Sequence, residues 1–163
     1  MAIRYERDVL AWSAEHAHFL RGGRLDPVEI DTGAGADEAE ELGEAEQREL
    51  ATRVAVLVAR LLKWVLLPEW RSPGCERIIT ELREGIARRL ARAPSLRACL
   101  DDPEWWHGAW SDARQATSVE TGVAFDAFGE TCPWSVDQVL GPWLPSSIRF
   151  SPAAQDQVDR GND

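Results

Sequence analysis

The residues best suited to chemistry in this sequence are carboxylates and a histidine. Asp37, Glu40, Glu41 and Glu44 fall at i, i+3, i+4 and i+7, so on a helix the four carboxylates share one face. Such a face suits a hard divalent cation or a basic partner. It also suits plain solvation, because negative side chains near a helix N-terminus are favoured by the helix dipole. Glu104 and His107 form one E-x-x-H, the spacing at which a carboxylate and an imidazole reach one metal in carboxylate-bridged di-iron bundles. Those sites need two copies of the motif and two further glutamates on facing helices, and this chain has no second copy. His16 and His18 are two apart, hence on different helical faces, and do not easily join His107. The spacings therefore favour solvated carboxylates and ordinary histidines. No metal or cofactor is expected; Glu40, Glu41, Glu44, Glu104 and His107 are the candidate ligands should one bind.

Other chemistries leave weaker traces. Arg77, Arg88 and Arg92 line one helix face and suggest phosphate, but Glu81 and Glu84 share it, and Glu84 precedes Arg88 by four residues, the favourable order for a helix pair. A salt-bridged solvent face is expected. No G-x-S-x-G, Walker or dinucleotide glycine pattern occurs. Cys75, Cys99 and Cys132 are too widely spaced for a zinc pattern, and an odd count does not make a disulfide framework, so reduced thiols are expected. With 18 basic and 28 acidic residues the net charge is −10, which disfavours nucleic acid and anionic membranes as partners.

The segments that must carry these groups have helical periodicities throughout. Leu50, Val54, Leu57, Leu61 and Trp64 recur at steps of four and three, and Val58, Leu62 and Val65 widen that seam until Arg53, Arg60 and Lys63 keep only a narrow polar stripe. This predicts one long helix from Ala36 to Leu67, acidic first and apolar later, stopped by Pro68. Arg60 and Lys63 interrupt an apolar run already shorter than the ~20 residues of a membrane span. A first helix is expected over Glu6 to Arg21, closed by Gly22-Gly23, then a loose connection from Arg24 to Gly35. After Pro68, Ser72-Pro73 marks the start of a helix with Ile79, Leu82, Ile86 and Leu90 inward; Ser95 to Leu100 is a short helix. Asp102-Pro103 starts another that runs to Thr121 before Gly122, with Trp106, Ala109, Trp110, Ala113, Ala116 and Thr117 inward. Ser135 to Gln138 is a capping box for a short last helix. The expected fold is all-α: a helical bundle around one long central helix, a single domain over residues 1–145, with 146–163 a flexible tail.

Glu120 falls inside the inward arc of its helix, where an unpaired carboxylate is costly. A cationic partner is expected from Lys63, Arg60, Arg71 or Arg114, unless the helix end frays and leaves Glu120 in water.

The sequence resembles the bacterial family named domain of unknown function twenty-nine. Tyr5 with Trp12, the acidic run ending Leu42-Gly43, Leu61-Leu62-Lys63-Trp64, Pro68 and Arg71-Ser72 carry the resemblance. Pro94-Ser95-Leu96, Ala113-Arg114, Glu120-Thr121-Gly122, Cys132-Pro133-Trp134 and Leu144-Pro145 continue it in order. It differs where Gly74-Cys75 replaces the family's usual serine and tryptophan, and at Gly33 to Gly35, where the family normally begins a helix. The resemblance implies a compact helical protein with no assigned activity.

Of the eight Trp, Trp12, Trp64, Trp106 and Trp110 lie on apolar stripes and should be core. Trp70, Trp105 and Trp143 do not, and suit a protein interface. The leading expectation is a non-enzymatic protein-interaction module with an unidentified protein partner or a second copy as a homodimer; Lys63, Trp64, Arg71 and Glu120 are the structural and interaction residues. The alternative is a metal-dependent enzyme using the helix carboxylates with a histidine. Met1 to Asp8 carry no apolar signal region, so a cytoplasmic protein is expected.

Overall fold

The computed structural model of the chain describes Leu10, Ala11, Ser13, Ala14, Ala17 and residues 32–146. Among them every regular element is helical and none is a strand. Leu10, Ala11, Ser13, Ala14 and Ala17 are helical; the helices whose bounds are described are α1 (Thr32–Leu66), α2 (Pro73–Arg92), α3 (Arg97–Leu100), α4 (Pro103–Thr121) and α5 (Val136–Leu140), with 3₁₀ turns at Pro68–Trp70, Pro94–Leu96 and Phe125–Phe128.

α1 is the axis of the fold. Leu50, Val54, Leu57 and Leu61 are fully buried, and Val58 and Leu62 join them on an adjoining stripe, so two sides of the helix are covered. α4 makes the most extensive contact with α1, and α2 the next. Each fully buried Leu or Val contributes roughly 1.5–3 kcal/mol by leaving water. The helix ends where Pro68 turns the preceding residue away from the α region: Leu67 sits at φ −120°, ψ 76°, its N–H making the last bond, 2.9 Å to the Lys63 carbonyl. At the other end the helix begins at Thr32, not Ala36, and runs through Gly33 and Gly35, part of the stretch expected to be a loose connection. Ala34, Ala36 and the Glu-rich residues that follow are strong helix formers, and their summed preference outweighs two glycines.

The start signals act as their chemistry dictates. Ser72 accepts the Cys75 N–H at 3.2 Å with Pro73 at the first helical position, and α2 buries Ile79, Ile86 and Leu90, leaving Leu82 half-buried. Asp102 accepts from the Glu104 and Trp105 N–H groups at 2.9 and 3.4 Å. Gly122 ends α4 at φ 76°, a left-handed position that glycine takes without strain. Ser135 and Gln138 exchange side-chain bonds to each other's backbone, completing the capping box of α5.

α4 buries Ala109, Trp110, Ala113 and Thr117, the small residues letting it approach α1 closely. Two positions depart from the sequence reading: Ala116 is exposed, and Arg114 is buried instead. Trp64 and Trp106, expected in the core, are only half-buried against it. Trp12, most of the predicted first helix and the tail beyond Ser146 lie outside the described residues.

Candidate functional site

The last turns of α1 bring together the residues that the sequence singles out. Lys63 projects from a helix position walled by apolar neighbours; its side chain is only 4% exposed, while that of its ion-pair partner Glu120, from the last turn of α4, is 52% exposed. The arrangement satisfies both groups: the lysine stem is packed, and its ammonium meets a carboxylate that keeps one side in water. Trp70, on the 3₁₀ turn, lays its ring 5.1 Å from the same ammonium. Arg71 turns back onto α1, its Nε donating to the Trp64 carbonyl at 2.7 Å and its guanidinium lying 5.6 Å from the Trp64 ring. That bond occupies a carbonyl left free at the end of the helix. Lys63, Trp64, Arg71 and Glu120 are thus one cluster, and of the cations considered for Glu120 the fold selects Lys63.

Beside this cluster, between α1, the 3₁₀ turn and α2, opens a slot lined by Arg60, Trp64, Trp70, Cys75, Ile78 and Ile79. Its cavity volume is about 20 Å³, room for little more than a water molecule, so it is a crevice and not a cofactor pocket. Trp70 and Ile78 on its rim are exposed large apolar residues. Val56 is another, one turn before Arg60 on the same face of α1. A hollow lined by Arg53, Ile78, Glu81 and Leu82 continues this surface along α1 and α2. Arg53 pairs with Glu49 and Arg88 with Glu84, but Arg60 has no ion-pair partner among the described residues. Val56 and Ile78 escaped the sequence reading, which took Cys75 only for a reduced thiol. The available signals were the Ile78-Ile79 pair, of which a helix can turn only one inward, and Val56, which stands off the four-three seam.

The carboxylate candidates do not converge. Glu40, Glu41 and Glu44 are exposed along α1, and Glu104 and His107 are exposed on the first turns of α4. Glu44 and Glu104 do line one shallow groove with Asp112, yet no group of three or more His, Cys, Asp or Glu among the described residues is placed to hold a metal ion. His16 lies outside those residues. On α2, Arg88 and Glu84 are 3.8 Å apart and both exposed, with Arg77 and Arg92 also exposed, so this face is a solvated one.

Two arginines act as latches, which helical periodicity could not reveal. Arg83 donates to the carbonyls of Val139 at 2.8 Å and Trp143 at 2.6 Å, tying α2 to the end of α5; burial lowers its pKa from the ordinary guanidinium value. Arg114 lies 4.1 Å from the Phe125 ring and donates at 2.6 Å to the Gly129 carbonyl, which also accepts the Trp110 indole N–H. The thiols are free. Burial pushes the Cys132 thiol up to about 11, offset in part by hydrogen bonds with the Trp134 backbone and the Trp106 side chain. Cys99 is raised by burial and then by Asp102.

With this geometry in view, comparison with known proteins gives the family and the fold. The chain belongs to the family described as Domain of unknown function DUF29, which matches residues 4–144. It is similar over 98% of both chains, at 23% identity and a TM-score of 0.63, to an alpha-helical protein of unknown function from Rhodospirillum rubrum whose crystal structure was determined at 1.45 Å resolution. That likeness supports the all-α fold. No curated protein matches the chain. No helix among the described residues is long and apolar enough to cross a membrane.

Proposed function

We propose that this chain is a non-catalytic helical module that binds another protein through the slot at the end of α1. The observation that carries the reading is the clustering of exposed apolar surface. Among the described residues the exposed large hydrophobics are Val56, Trp70, Ile78 and Val119; Trp70 and Ile78 line the slot, and Val56 stands one turn before Arg60 on α1. Isolated exposed hydrophobics are ordinary, whereas a contiguous apolar surface rimmed by charge marks an interaction site. Trp and Arg beside a small concave pocket are also the composition of an interface hot spot. The slot's turn is held back onto α1 by the Arg71–Trp64 hydrogen bond, and α1 is fixed to α4 by Lys63–Glu120, so part of the surface is in place before any partner arrives.

The test is a selection of peptide binders against the full-length protein, followed by binding to two variants. Binders that lose at least about tenfold in affinity with Ile78→Asp and are unmoved by Val119→Asp support the reading. A selection that yields only binders indifferent to Ile78→Asp refutes it.

A further inference from the structure

A roomier concavity lies on another side of α2. There Glu76, Ile79, Thr80 and Arg83 face Leu140 and Leu144, from the end of α5 and the chain after it, across a groove of about 380 Å³. That volume is within the range of sites that take up ligand groups. Along α2, Cys75 and Ile78 line the slot while Thr80 and Arg83 line this groove, and Ile79 borders both. Its apolar lining is the buried Ile79 with the half-buried Leu140 and Leu144. Arg83 is already engaged, donating to the Val139 and Trp143 carbonyls. The exposed Thr80 donates its hydroxyl to the Glu76 carbonyl of its own helix, at 3.0 Å. The groove therefore offers apolar surface and no strong polar group in want of a partner.

One wall of the groove is also the last stretch of the described chain, which stops at Ser146, two residues past Leu144. The sequence that follows is Ser147-Ile148-Arg149-Phe150-Ser151, polar and apolar in strict alternation, between Pro145 and Pro152. Pro152 favours an extended residue before it, and Ile and Phe suit extended backbone. In an extended segment the period of two sets Ile148 and Phe150 on one side and Arg149 on the other. From there to Asp163 the only other large apolar residue is Val158. We infer that the groove is the seat of this segment of the same chain, Ile148 and Phe150 lying against Ile79, Leu140 and Leu144 with Arg149 left in water. Phe150 is within a reach of about 20 Å from Leu144, and the groove from Glu76 to Arg83 is only about 10 Å long along α2. So short a tether gives an effective concentration on the order of millimolar, enough to keep filled a contact too weak to join separate molecules. The one charge from Ser147 to Ser151 is positive, in a molecule of net charge −10, so the protein as a whole does not repel it. A separate partner seeking this groove would first have to displace the segment.

The test puts a photo-crosslinking benzophenone side chain at position 150 of the full-length protein, in place of Phe150, and maps the crosslinks by mass spectrometry. Two further changes are made in that background. Thr80→Lys sets a charge in the groove at an exposed helix position, where it does not threaten the fold, and Ile148→Ser removes half of the apolar face without touching the groove. The expected result is crosslinks within one chain to residues 76–83 or 140–144, reduced at least about tenfold by each of these changes and unmoved by Val119→Lys on the exposed end of α4. Crosslinks scattered over other surfaces overturn the inference. So do groove crosslinks that persist in either Thr80→Lys or Ile148→Ser, since the tether alone then explains them. Crosslinks that join two molecules and rise with concentration assign the groove to the segment of a second copy and overturn it as well. Because the slot is a separate surface, the peptide selection against Ile78→Asp decides that reading independently.

Discussion

Replacing Glu120 with alanine strips Lys63 of its carboxylate while leaving the lysine where the core holds it. Breaking a fully buried ion pair costs ~3–5 kcal/mol, and breaking an exposed one ~0–1 kcal/mol. Here the lysine side chain is 4% exposed and the glutamate 52%, so solvent screens one partner and not the other. The expected loss lies between those limits, about 1–3 kcal/mol. Lys63→Met keeps the length of the stem and removes the charge. Since desolvating an ammonium offsets much of what its partner returns, that variant should change stability by less than about 1 kcal/mol in either direction. Once Lys63 is Met, adding Glu120→Ala should cost no more than about 0.5 kcal/mol, the limit of additivity for uncoupled sites. Urea unfolding followed by the fluorescence of the eight Trp gives each value, provided the slope against urea stays constant across the four proteins. In 1 M salt the cost of Glu120→Ala should shrink only in part, because the buried ammonium is poorly screened. The reasoning fails if Glu120→Ala is silent while Lys63→Met costs more than about 2 kcal/mol; the lysine would then be held by packing and the ring of Trp70, not by its carboxylate.

Two glycines within helices should respond oppositely to alanine. At Gly85 a Cβ would meet nothing nearer than the Arg88 Nη2 at 3.9 Å, so Gly85→Ala should raise stability by ~0.5–1 kcal/mol through helix preference alone. At Gly43 it would lie 2.4 Å from the Ser13 Oγ and 3.2 Å from the Leu10 Cδ1, so Gly43→Ala should cost ~1–3 kcal/mol despite the same preference. Melting temperatures that rise for both would show that the N-terminal segment does not press on α1 there. The thiols give a pH prediction. With the Cys132 thiol pushed up to about 11, only about one molecule in a thousand holds its thiolate at pH 8. Its alkylation should be negligible there and rise steeply toward pH 11. Because this folded-state pKa is raised, the stability it contributes is complete below the unfolded thiol value near ~8.5 and is lost as pH climbs through 11. Rapid labelling of Cys132 at pH 8 in the folded protein would contradict its burial.

The helices were legible in the sequence because their causes are local. Pro68 stops α1 by its own ring, Ser72 and Asp102 cap through atoms two or three residues away, and the seam of Leu50, Val54, Leu57 and Leu61 needs only helical geometry to become an inner face. A cation for Glu120 was legible as one of two outcomes, because the helical arc turns it toward the bundle while the nearby helix end could leave it in water, and its side chain is 52% exposed. The choice among Lys63, Arg60, Arg71 and Arg114 was not. Which cation reaches it depends on how α4 crosses α1, and that crossing is set by side chains from both helices meeting at Ala109 and Ala113. The slot belongs largely to tertiary structure: Cys75 and Ile78 share one face of α2 by their spacing of three, but only the packing of α2 beside α1 sets that face against Arg60 and Trp64 with Trp70 beside it. Arg83 and Arg114 show the same division. Periodicity treats arginine as solvent-facing, whereas a free helix-end carbonyl or a turned-in Gly129 exists only once the chain has folded around it, and a buried guanidinium is tolerated there because those carbonyls are waiting for it.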